Sequence, residues 1–238
     1  EPFRGYLLFI SNPLLVEYNN VTYTRVEALQ GFKISLVTLT IGLMFLFTGL
    51  MGGIHAIVEK RYEGYVQAVL ASHVNPTLFM LSEIIAILVG ALITASVIAA
   101  TGILLGAPLL EVPVYKLLLA LLIIIVSVLG LAGLGMVLGT LVRTPHAAAA
   151  LGNAIAFPMM FLGGFTIPKF MLPSWLQVIP EVFPHSRLMY AVTYYILGAW
   201  SFWELVEYAI PAVVLSLTLL LAGALVYRRA LERLYESP

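Results

Sequence analysis

Neither cysteine nor aspartate occurs in these 238 residues. The first absence excludes disulfides, thiolate metal sites and cysteine nucleophiles. It says nothing of compartment, because membrane helices often do without cysteine. The second leaves glutamate as the only acidic side chain and removes the aspartate that commonly holds magnesium in phosphoryl-transfer sites. Charge is scarce altogether, at 10% of residues against roughly a quarter in a soluble domain. Lys and Arg balance the acidic residues to a net charge of zero, so the basic footprint of a nucleic-acid binder is missing. Also missing are the Gly-x-x-x-x-Gly-Lys-Ser/Thr loop, the Gly-x-Ser-x-Gly elbow and the His-Glu-x-x-His pair. The four histidines, His55, His73, His146 and His185, show no metal spacing and read as packing or interface residues. The chain therefore cannot hydrolyse ATP alone, and nothing in it suggests an intramembrane enzyme.

What remains is apolar. Hydrophobic residues make up 61% of the chain and the mean hydropathy is +1.03, the composition of helices whose solvent is hydrocarbon. A spanning helix needs about 20 mostly apolar residues. Four continuous stretches meet that test, roughly 35–58, 78–106, 115–141 and 205–227. A fifth, roughly 147–166, is long enough but holds Pro158 and the Gly163-Gly164 pair. The expected fold is all-α, a polytopic membrane helix bundle.

Charges mark the span ends. Glu59, Lys60, Arg61 and Glu63 follow the first, Arg143 the third, and Arg228, Arg229 and Arg233 the last. If the spans alternate, these basic clusters share one side, and the positive-inside rule makes it cytoplasmic, with the C-terminus. The other side carries Lys33, Lys116, Lys169 and Arg187 together with Glu27, Glu111, Glu181, Glu204 and Glu207. Residues 1–34 would then form an extracytoplasmic N-terminal segment, with a sequon at Asn20-Val21-Thr22. Glu1 to Tyr6 read as the middle of a longer chain; a removed signal peptide or an upstream span would each account for that.

Two stretches stand out. From Glu59 to Ser72, Tyr62, Val66, Val69 and Leu70 recur at helical spacing while Lys60, Glu63 and Gln67 share another face. That pattern suits a short amphipathic helix at the cytoplasmic interface, or else a plain stop-transfer cluster. From 167 to 200, Pro168, Pro173, Pro180 and Pro184 interrupt a strongly apolar segment and forbid one straight helix. Short broken helices dipping into the outer leaflet satisfy both facts; an outer loop lying on the membrane is the alternative. Glu83 lies near the start of the second span, where a carboxylate can snorkel or cap a helix; the reading as a functional intramembrane acid is the less favoured one. Gly130, Gly133, Gly135 and Gly139 permit close helix approach within or between protomers.

Taken together, these residues resemble the permease subunit of the ABC-2 family of ATP-driven exporters. One part of the resemblance is Glu59-Lys60-Arg61-x-x-Gly64, followed by Leu70-Ala71-Ser72 and Pro76. The other is Asn153, Pro158, Phe161-Leu162-Gly163-Gly164-Phe165-x-Ile167-Pro168, then Leu172-Pro173-x-Trp175-Leu176 and Pro184. It covers the chain from about residue 35, the expected transmembrane domain being 35–238. The family's pattern has a further span and an amphipathic helix upstream, neither of which is here. His73 stands where a proline is usual, and Glu83 lies close to where a basic residue is common.

The resemblance implies a dimer of permeases docked on two ABC ATP-binding subunits, which would bind the ATP and magnesium; this chain would bind no cofactor. It implies that residues 59–72 are a coupling helix in which Glu59, Lys60, Arg61, Glu63, Gly64 and Gln67 meet the ATPase subunit. It implies that Gly163, Gly164, Pro168, Pro173, Trp175 and Pro184 belong to a re-entrant segment near the outer face. The cargo would be a drug, lipid, polysaccharide or other amphipathic solute. Met44, Phe47, Asn153 and Phe161 are the expected path residues, on the first and fourth spans. A stand-alone secondary transporter or channel subunit is the competing expectation. Such proteins usually carry ionisable groups or broken helices at the midplane, and the span centres here are nearly free of charge.

Overall fold

The computed structural model describes residues 15–18, 21–62, 76–167 and 169–236, with side chains described for 29–59, 62, 78–167, 169 and 171–230. A short antiparallel hairpin comes first: β1 (Leu15–Tyr18) pairs with β2 (Val21–Thr24) in the register Leu15 to Thr24 and Tyr18 to Val21. Every other regular element described is helical. In order these are α1 (Arg25–Tyr62), α2 (Pro76–Leu104), α3 (Val114–Gly139), α4 (Pro145–Leu162), α5 (Val178–Val182), α6 (Pro184–Ile196) and α7 (Phe202–Glu236). Single 3-10 turns at Leu109–Glu111 and Lys169–Met171 punctuate the connections.

Five helices are long and apolar enough to cross a membrane: Leu29–Glu59, Leu78–Leu104, Val114–Gly139, Pro145–Leu162 and Phe202–Ala230. The chain is a polytopic helical bundle. Helix α1 begins at Arg25, ahead of the apolar run expected from residue 35, and passes without a break through Glu59, Lys60 and Arg61 to Tyr62. Once a helix is nucleated each further residue adds a hydrogen bond whatever its side chain. Apolarity thus marks how much of the rod lipid can cover, not where the rod ends.

Alternation of the long helices gives the bundle two ends. The hairpin end gathers the start of α1, the end of α2, the start of α3 and the end of α6. The C-terminal end gathers the end of α1, the start of α2, the α3–α4 turn and the end of α7. Local chemistry sets the turns. At the α3–α4 turn, Thr144 Oγ1 accepts from the Ala147 N–H at 3.2 Å and Pro145 takes the first helical position, where its missing donor costs nothing. At the hairpin end, Lys33 Nζ donates to the carbonyls of Leu105 and Gly106, both at 3.2 Å. Lys116 Nζ likewise reaches the Tyr195 carbonyl at 3.0 Å. Each ammonium sits where a helix leaves carbonyls unpaired and its dipole is negative.

Helix α3 is the centre, with α1 on one side and α7 on another. Both contacts are made by glycine. A Cβ on Gly53 would strike the Ala132 carbonyl and lie 2.9 Å from Gly135 Cα, and one on Gly49 would lie 2.7 Å from Leu131 Cβ. On the other face, a Cβ on Gly223 would lie 2.6 Å from Gly133 Cα. These helices touch backbone to backbone, the arrangement that holds helices together where lipid removes the hydrophobic drive. The fully buried side chains Phe45, Leu46, Leu50, Ile54, Val128 and Leu188 fill the remaining space. Half of the α1 and α3 spans is buried, against 11% of α2 and 17% of α4.

Candidate functional site

The four expected path residues fall on one pair of helices. Helix α4 packs chiefly on α1. Gly152 makes the close approach possible, since a Cβ there would meet Met51 and Ile54. Further along, Phe47 and Phe157 stack edge to face with centroids 5.8 Å apart. Met44 and Phe161 are exposed beside them, and Phe47 and Asn153 are half-buried. Down α1 the accessible positions Leu36, Thr40, Met44, Thr48, Met51, His55 and Glu59 form one stripe at helical spacing; on α4 they are His146, Ala150, Ala154, Phe157 and Phe161.

This face differs from an ordinary lipid face. Helix α2, the least buried span, has a mean hydropathy of 2.5, as a lipid-facing helix requires. Helix α4 is almost as open at a mean hydropathy of only 1.2. It exposes a proline, Pro158, and the small residues Ala150 and Ala154 one turn apart. An open span of low apolarity is poorly matched to hydrocarbon and well matched to another helix or to a polar path.

The proline-rich segment is broken into short pieces, as its composition dictates. Helix α4 ends at the C-cap Gly163, and Gly164 follows with φ of 82°, a left-handed conformation that a side chain resists. Tyr190 Oη donates to the Gly164 carbonyl at 2.9 Å and accepts from the Lys169 N–H at 3.1 Å, pinning both sides of the turn. Pro173 is exposed and its carbonyl accepts from the Leu176 N–H at 2.8 Å, while Trp175 projects from the bundle with 72% of its surface exposed. Pro184 is buried at the first turn of α6. Pro168 lies outside the described residues.

Behind this segment sits an ionic cluster. Lys169 Nζ and Tyr208 Oη both donate to the Glu181 carboxylate, the tyrosine at 2.5 Å. Arg187 lies over the Tyr208 ring at 4.3 Å and donates through Nε to the Tyr208 carbonyl at 2.8 Å. Burial pushes the Glu181 carboxyl up, but bonds from Lys169 and Tyr208 and the nearby charges of Lys169 and Arg187 outweigh it and hold the group below the ordinary carboxylate value. Every charge here is spent on another group of the protein, so the cluster braces α5, α6 and α7.

Deeper in, His185 joins three helices. Its Nε2 lies 2.7 Å from the Gly42 carbonyl of α1 and its Nδ1 lies 2.6 Å from Ser127 Oγ of α3. A carbonyl can only accept, so Nε2 carries the proton and Nδ1 accepts from the serine. Burial pushes the imidazole down to about 4, opposed by the bond to the Gly42 carbonyl, which leaves it neutral.

At the C-terminal end, Glu59 is exposed one turn from His55, with His55 Nδ1 to Glu59 Oε1 at 3.6 Å. Lys60 and Arg61 lie in the last turns of α1. Glu63, Gly64 and Gln67 fall outside the described residues, as does the rest of the expected coupling helix to Ser72. Among the described residues, no group of three or more acidic or histidine side chains could hold a metal ion.

Residues 10–228 match the model of the ABC-2 family transporter protein. The chain belongs to the ABC-2 family. No curated protein matches it closely enough to count as a relative. As an ABC-2 protein it is a multi-pass membrane permease of the ABC transporter class, a transport component and not itself catalytic. The sequence singled out the α1–α4 residues and the proline-rich segment of this ABC-2 permease but not the Glu181 cluster or the His185–Ser127 pair. Ser127 and Gly42 are far from His185 in sequence, and no local pattern announces such a contact. Gly49 and Gly53 did carry a signal, a four-residue spacing that Gly135 and Gly139 share.

Proposed function

We propose that this chain is one permease half of an ATP-driven exporter, that its C-terminal end is cytoplasmic, and that its α1–α4 face meets a second permease copy along the cargo path. The observation that carries the reading is the continuity of α1. One unbroken helix runs from Arg25 to Tyr62, bearing Met44 and Phe47 on the way and Glu59, Lys60 and Arg61 at its tip. A rigid rod that presents charge at one end and path residues in its middle can convert a push from an ATP-binding subunit into a tilt of the path. Two such subunits, holding ATP and magnesium, would grip residues 59–72 of two permeases.

Methionine, aromatic and threonine side chains on the shared face suit an amphipathic cargo such as a lipid or a drug. They offer apolar contact with few fixed charges to satisfy. The segment from Gly163 to Pro184 would then close the path as the re-entrant element at the outer end.

Reversing both charges, Glu59→Arg with Arg61→Glu, is the direct test. Co-purification with the ATP-binding subunit and cargo-stimulated ATPase activity are expected to fall at least tenfold while the permease remains folded. Unchanged stimulation would remove the lever from the mechanism. Transport by the purified chain without any nucleotide would instead establish the stand-alone transporter.

A further inference from the structure

Helices α3, α6 and α7 border a small, mostly apolar space of about 10 Å³, with Ser127, His185 and Ser216 among Gly130, Leu131 and Leu134. Ser216 is 1% exposed and its Oγ has no hydrogen-bond partner among the described residues. The usual answer for a hydroxyl inside a helix is to bond back to the carbonyl four residues earlier. Thr218, on the same helix, does so to Val214 at 2.8 Å, and Ser96 to Leu92 at 2.8 Å. Ser216 does not; it lines the cavity instead. Gly130 leaves it room, since a Cβ there would sit 2.8 Å from Ser216 Oγ.

On the opposite wall a hydrogen-bond acceptor is available. The Ser127 proton is given to His185 Nδ1, because the imidazole's own proton goes to the Gly42 carbonyl. The Ser127 oxygen keeps lone pairs open and can accept from a donor. Ser216 has a donor and needs an acceptor. A single small molecule that both accepts and donates satisfies both, and the space admits nothing larger than one water.

We propose that one water molecule is bound at this site, accepting from Ser216 and donating to the Ser127 oxygen. It completes a polar chain from the Gly42 carbonyl through His185 and Ser127 to Ser216, linking α1, α6, α3 and α7. Most buried hydroxyls in proteins are paired, by protein or by ordered water, and the space here fits a water.

The sign of one substitution tests it. If the water is bound, Ser216→Ala removes one of its partners, and the Tm of the full chain in lipid nanodiscs is expected to fall by about 2–4 °C. If the space is empty, the same change deletes an unpaired buried hydroxyl and Tm rises or holds; either result overturns the proposal. Ser127→Ala alone and with Ser216→Ala completes a double-mutant cycle. The two serines share no direct bond, so losses that add strictly would overturn the bridge, whereas a combined loss smaller than the sum is expected. In a map of sufficient resolution, density within hydrogen-bond distance of both oxygens is the expected direct sign, and a bare cavity the contrary one.

Discussion

His185 ties three helices together through one side chain. It is neutral in the folded state, while in the unfolded chain it would titrate at its ordinary value of 6.5. Between pH 6.5 and about 4 the unfolded state therefore binds the extra proton, so the stability is fully present above 6.5 and is lost as pH falls towards 4. The loss should reach on the order of 3 kcal/mol at most. Thermal melts across this window should show the slope in the native chain and a flatter profile in His185→Gln, whose amide can keep a donor for the Gly42 carbonyl. An equal slope in the variant would assign the effect to other groups. Glu181 adds a second loss at lower pH, since its carboxylate is held below the ordinary value and its stabilisation goes as pH falls through that depressed point. From the sequence, His185 read only as a packing or interface residue. Its identity as a three-helix joint depends on two contacts that folding alone creates.

At the scale of elements, the glycines decide which helices meet. Gly53 faces the Ala132 carbonyl and Gly135, whereas Gly90 of α2 has nothing within 4 Å of a Cβ placed on it. Gly53→Ala should therefore cost about 1–3 kcal/mol through forced separation of α1 and α3. Gly90→Ala should be neutral or gain about 0.5–1 kcal/mol from the improved helix propensity. Equal effects of the two in a detergent unfolding assay would contradict the backbone contact. The spacing of Gly135 and Gly139 made a close approach legible from sequence. Whether the partner was this chain or another was not legible, because a small-residue face looks the same in both cases. The broken segment was readable for the opposite reason: proline restricts the backbone locally, so its consequence needs no tertiary information.

For the whole molecule, the five spans were legible because lipid as a solvent imposes apolarity over a fixed length. Read from the sequence, basic residues stand on both sides of the bundle and all count alike. The structure separates them. Among the described residues, Lys33 and Lys116 cap helix ends, Lys169 is bonded to Glu181, and Arg187 is bonded to Tyr208. Arg143 and Arg229 are exposed at the other end. A fluorescent-protein fusion to the C-terminus should accordingly light up in a bacterial cytoplasm while an alkaline phosphatase fusion stays inactive; the reverse pair of results would invert the orientation. The absence of native cysteine also makes the α4 face easy to probe. Ala154→Cys should cross-link two permeases under oxidation and Val97→Cys, exposed on α2, should not; cross-linking at Val97 alone would move the dimer contact to α2.

The glycine seams between α1, α3 and α7 have a mechanical corollary. Helices in backbone contact at these glycines, with close-packed side chains around them, move most readily as one body. On the proposed coupling, a push at the tip of α1 would move α1, α3 and α7 together, and relative motion would fall to a helix packed on them less closely. Of the spans beside them, α4 is held chiefly by α1 and carries Pro158 within its length, which makes it the helix expected to shift against the other three.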